Sequence, residues 1–136
     1  MNSYTLLDLF LWTVTLACLS VLAVSSLGAP PSILAAFPGA DQLFHFIGYF
    51  TTTFFLLLAA AWHPWRRRGP LVEQVRRLLT AMVVLGIGIE VGQLAAFQRT
   101  PDALDAVVNT VGVAAAFALW SALRAGADLV AARGEI

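Results

Sequence analysis

Six residues with acid, base or amide side chains recur at helical spacing inside three otherwise apolar stretches of the chain. Asp41, His45 and Thr52, with Gly48 or Tyr49 between them, share one face of the first such stretch. Gly86, Glu90, Gln93 and Phe97 share a face of the second. Asp105, Asn109, Gly112 and Ala116 do the same on the third. A histidine beside carboxylates can take up and release protons, so general acid–base work is available to His45, Glu90 and Asp105. No nucleophile accompanies them: GxSxG and HExxH are absent, and Cys18 lies apart in an apolar run. The same three residues are the candidates for a mixed nitrogen–oxygen metal site. One histidine among scattered acids is a weak pattern for that, and the expectation is no bound metal and no cofactor.

Packing explains some of these residues as well as chemistry does. Thr100 as N-cap, Pro101 at the first helical position and Asp102 in the first turn make an ordinary helix start. Tyr49 and Gln93 are open to a reading as packed side chains with satisfied polar ends, and His45 as an interhelical hydrogen-bond donor. Glu90 is the hardest to explain by packing, because a carboxylate in an apolar medium must be neutral or paired, with His45 or Arg99 as the partners in reach.

The elements that must carry these residues follow from composition. Of 136 residues, 60% are hydrophobic and 12% charged, about half the charge of a soluble domain. So small a chain leaves much of its surface outside the core, and too few charges are available to cover it in water. Four stretches suit a hydrocarbon core that needs about 20 apolar residues per helix: residues 6–27, 43–62, 78–97 and 103–123. They predict an all-α integral membrane bundle of four transmembrane helices forming a single domain over residues 1–136. The connectors hold Pro30, Pro31, Pro38 and Gly39, then Pro64, Gly69 and Pro70. Residues 71–79 fit a short interfacial helix, with Val72, Val75 and Leu79 on one side. The first span has no basic residue before it and is longer than a signal-peptide core, so it is expected to stay as an uncleaved anchor.

Charge orients the bundle. Arg66, Arg67, Arg68, Arg76 and Arg77 fall between the second and third spans, and short loops rich in arginine stay in the cytoplasm. Both termini are then cytoplasmic, in keeping with Arg124 and Arg133 after the last span. The three polar rows converge at the outer side, where they outline a polar pocket with Arg99 at its rim and an apolar floor. The net charge of zero offers no field for nucleic acid, so membrane lipids and an amphiphilic ligand are the expected partners.

Three segments together resemble the VanZ-like family of small bacterial membrane proteins: Asp41-Gln-Leu-Phe-His45-Phe-Ile-Gly-Tyr49, Glu90-Val-Gly-Gln93, and Arg99-Thr-Pro-Asp102-Ala-Leu-Asp105 with Asn109 and Gly112. The resemblance runs from about residue 41 to 117. Gln42 stands where the family pattern usually has lysine, which leaves Arg99 to supply a cation. The resemblance implies Asp41, His45, Tyr49, Glu90, Gln93, Arg99, Asp105, Asn109 and Gly112 as signature positions and the bacterial cytoplasmic membrane as the location. The family's namesake is associated with low-level resistance to the glycopeptide teicoplanin. The leading expectation is an outward-facing pocket that binds an amphiphilic cell-envelope component or a glycopeptide-related ligand. An intramembrane acid–base or metal-assisted transferase or hydrolase is the second reading, and a purely structural membrane protein the third.

Overall fold

The structure, a computed structural model, describes residues 3–27, 37–62, 70–96 and 102–134. These form four helices: α1 (Ser3–Leu27), α2 (Ala40–Trp62), α3 (Leu71–Ala96) and α4 (Ala103–Gly134). Successive helices run antiparallel, so α2 and α4 are parallel: His45 meets Asn109 at one end, and Leu57 joins Trp120 at the other. The central helix is α2, which packs against all three others.

Three helices, α1 from Thr5, α2 as far as Ala61, and α4, are long and apolar enough to cross a membrane. α3 carries Glu73, Arg76, Arg77 and Glu90 along its length. Polarity is inverted relative to a soluble domain. His45, Thr52, Thr53, Glu90, Gln93, Asp105 and Asn109 are buried, whereas Leu9, Phe10, Leu16, Val21 and Val24 of α1 and Val107 and Val111 of α4 are exposed. An exposed apolar surface of this extent marks contact with lipid or with another apolar surface.

Two element boundaries depart from expectation. Residues 71–79 are the first turns of α3 and not a separate interfacial helix. The Pro70 carbonyl accepts from the Glu73 and Gln74 amides and starts the helix. Neither proline nor glycine interrupts it before Gly86, and Glu73 pairs with Arg76 and Arg77 one turn on, at 2.8 and 2.9 Å. Similarly, α4 runs eleven residues beyond 123. At 1.5 Å per residue its 32 residues span about 48 Å, well over a hydrocarbon core of about 30 Å. Its last turns, exposed all round from Ala125, contain no proline and run through Gly126 to Gly134.

The core has two tiers. Leu22, Tyr49, Met82, Ile89 and Val113 bring all four helices together near the middle, and Leu57, Val75 and Trp120 join α2, α3 and α4 at the far end. Between apolar helices in lipid, burial supplies little driving force, and close packing and interhelical hydrogen bonds take its place. Gly112 provides the closest approach: a Cβ there would stand 2.8 Å from the Phe46 carbonyl oxygen and 3.2 Å from the Phe50 nitrogen. Backbone of α2 therefore occupies the space that a side chain of α4 would fill.

Candidate functional site

Two local devices aim the polar rows at one another. Phe37–Pro38–Gly39–Ala40 forms a turn in which the Ala40 amide donates to the Phe37 carbonyl at 3.2 Å. Proline at the second position and a φ of 83° at Gly39 are the features of a type II turn, whose third residue requires positive φ. α2 begins at once, with Asp41 in its first turn and His45 one turn deeper. At α4 the N-cap is Asp102, whose Oδ1 accepts from the Leu104 amide at 2.8 Å and whose carbonyl accepts from Asp105 at 3.0 Å. The cap thus lies two residues later than Thr100, because the short aspartate side chain reaches the second amide of the helix.

These starts bring His45, Asp41, Asp105 and Asn109 together. The His45 ring is 3% exposed, Asp105 4% and Asn109 2%, while the Asp41 side chain is 34% exposed and forms the way in. His45 Nδ1 lies 3.0 Å from Asn109 Oδ1. Its Nε2 faces Asp105 Oδ2 at 3.6 Å and Asp41 Oδ1 at 3.8 Å. An amide oxygen only accepts, so Nδ1 carries a proton and donates it to Asn109. A neutral ring would then turn its Nε2 lone pair on two carboxylates.

Glu90 lies beside this cluster and outside it. Its Oε2 accepts from the Asp102 amide at 3.4 Å, at the N-terminus of α4, where the helix dipole favours a carboxylate. Of the two partners expected for Glu90, His45 is instead flanked by Asp41 and Asp105, and Arg99 lies outside the described residues. Gln93 serves packing: its Nε2 donates to the Ser26 carbonyl at 2.8 Å and ties α3 to the last turn of α1. Tyr49 is fully buried against Gly86, where an added Cβ would sit 3.3 Å from its ring. Its hydroxyl has no hydrogen-bond partner among the described residues, nor have the hydroxyls of Thr52 and Thr53. By contrast, Thr15 and Thr110 satisfy themselves on carbonyls one turn back. Gly112 and Ala116 are packing positions on α4. Arg99, expected at the rim, and Phe97, expected in the row with Glu90 and Gln93, lie outside the described residues.

Sequence reasoning did not single out Ser26 or Thr53. The Ser26 carbonyl leaves no mark in a sequence, whereas Thr53, one turn beyond Tyr49, was within reach of the spacing argument. The cluster reaches the surface through Asp41, and the segments around Arg99 expected to rim the pocket lie outside the described residues. A cavity of about 610 Å³ does occur, but at the opposite end of the bundle, between Leu71, Val75, Phe117 and Trp120, with Arg76 and Arg124 at its edge. It has none of the cluster's chemistry.

Compared with known protein families, curated proteins and solved structures, the chain has no match.

Proposed function

We propose that the chain is a VanZ-like protein of the bacterial cytoplasmic membrane, spanning it four times with both termini inside. Its outward-facing polar site binds the head group of an amphiphilic envelope component or a glycopeptide-related ligand. The observation that carries this reading is the burial of His45, Asp105 and Asn109 in one cluster that opens through Asp41 at the start of two parallel helices. Ionisable groups are costly at such depth, and their presence in a span is by default a sign of function. The orientation draws support from the basic residues. Among the described residues these are Arg76, Arg77, Arg124 and Arg133, on the early turns of α3 and the late turns of α4, the end away from His45. The third span is α3 from about residue 78, below its basic first turns.

Native mass spectrometry of co-purified lipids, comparing the wild type with His45→Gln and Arg99→Ala, tests the reading. A bound amphiphile retained by the wild type and lost from both variants is the expected result. An identical lipid complement in all three would remove it. A phosphatase reporter fused after Pro101 should be active outside the cell and one after Gly69 inactive, and the reverse pattern would overturn the orientation.

A further inference from the structure

We propose that Asp41, His45 and Asp105 form a binding site for a divalent transition-metal ion of the zinc type. One ligand atom from each residue lies within 4.8 Å of the other two, and the two nitrogen–oxygen separations are 3.6 and 3.8 Å. Both are too long for a hydrogen bond. They are close to the edge of a tetrahedron, about 3.4 Å, around an ion with ligands at about 2.1 Å, so these two edges need to shorten by only a few tenths of an ångström, while the two carboxylate oxygens, within 4.8 Å of each other, would close on the ion.

The orientation of His45 is the independent observation. Its ring is 3% exposed, and its Nδ1 is engaged by Asn109 Oδ1 at 3.0 Å. Ligating histidines are held in this way, with one nitrogen donating to an oxygen of the surrounding shell so that the other presents its lone pair to the ion. Nε2 has no hydrogen-bond partner among the described residues and points at the two carboxylates. One imidazole and two carboxylates make a mixed donor set suited to a divalent first-row ion. Two carboxylates also neutralise its charge, which lowers the cost of holding it in a buried place. Three protein ligands leave the remaining coordination to water or to an anionic group entering past Asp41, the pattern of an open zinc site. The spacing of the sequence favoured His45, Glu90 and Asp105. In the folded chain Asp41 takes the place of Glu90, because it lies one turn before His45 on the same helix.

This inference stands on the cluster and not on the identity of any amphiphile, so either can fail alone. The test is calorimetric titration of Zn2+ alone into chelator-stripped protein in detergent, with Co2+ absorption spectra as a second readout. The wild type should take up one ion per chain. His45→Gln should weaken binding at least 100-fold, and Asp105→Asn should weaken it as well. Asn109→Ala should cost about 10–100-fold, the usual effect of removing a residue that orients a ligand, and Asn109→Asp, which keeps the acceptor, should retain binding. His63→Gln, at the other of the two histidines in the sequence, is the control and should leave uptake unchanged. Monodisperse, folded wild type that takes up no ion would overturn the proposal. So would uptake that persists unchanged in His45→Gln and Asp105→Asn, and retention by Asn109→Asp guards against a loss caused only by misfolding.

Discussion

Replacing Gly112 by alanine is the most informative perturbation of this bundle, because it couples packing to the polar cluster. The added methyl would sit 2.8 Å from the Phe46 carbonyl oxygen, 3.2 Å from the Phe50 nitrogen and 3.3 Å from Tyr49 Cβ. The two closest are backbone atoms, which cannot swing aside as a side-chain tip can. Restoring a contact of about 3.5 Å requires α4 to retreat from α2 by about 0.7 Å. Asn109 is one turn from Gly112 on the same helix, so the retreat would stretch its 3.0 Å bond to His45 to about 3.7 Å, beyond hydrogen-bonding range. Overpacking costs about 1–3 kcal/mol and a lost interhelical hydrogen bond about 0.6–1.7 kcal/mol, offset by about 1 kcal/mol of helix propensity gained over glycine. The net expectation is a loss of about 2 kcal/mol, read as a lower midpoint of thermal or SDS unfolding in detergent. Gly126→Ala, in the same helix and with nothing within 4 Å of the new methyl, should be neutral or stabilising. If Gly112→Ala unfolds no earlier than Gly126→Ala, the close approach does not hold α2 against α4 and the reasoning fails.

Further outcomes follow from single contacts. Gln93→Ala removes the bond to the Ser26 carbonyl and should destabilise by about 0.6–1.7 kcal/mol, with crosslinking between α1 and α3 falling more than crosslinking between α2 and α4; equal loss at both interfaces would contradict the assignment. Tyr49→Phe deletes a buried hydroxyl that has no partner among the described residues, so it should be neutral or stabilising by up to about 1 kcal/mol, and a clear loss in the same unfolding assay would show that the hydroxyl is bonded. Hydrogen bonds from Arg76, and then from Arg77, hold the Glu73 carboxyl down from its ordinary 4.5 to about 2. A depressed carboxylate stabilises fully above about pH 4.5 and loses that contribution as pH falls toward 2. NMR titration should place the Glu73 midpoint near 2, moving toward 4.5 in Arg76→Ala; because the pair is exposed, its effect on unfolding should be slight.

Much of this molecule was legible because it is local. Helical periodicity puts His45 one turn from Asp41, and Asn109 one turn from Asp105, whatever the helices pack against. Pro38-Gly39 and Pro70 announce helix starts for reasons that lie in their own backbone restrictions. Scarcity of charge announces an apolar environment. Boundaries were less legible where nothing separates an interfacial stretch from a span: no proline or glycine divides residues 71–79 from the rest of α3 before Gly86, and Gly126 alone does not stop α4.

Which row would face which was not legible. Composition and spacing determined that three helices each carry a polar stripe with small residues beside it, since both features are properties of a single helix. Tertiary structure decided that Asp41 and Asp105 share His45, that Glu90 turns to the Asp102 amide, and that Gln93 leaves the cluster for α1. The rotation and axial register of one helix against another are set by steric contact across the interface. Here the contact is the seating of Gly112 on the backbone of Phe46 and Phe50, a distance between residues more than sixty positions apart in the chain.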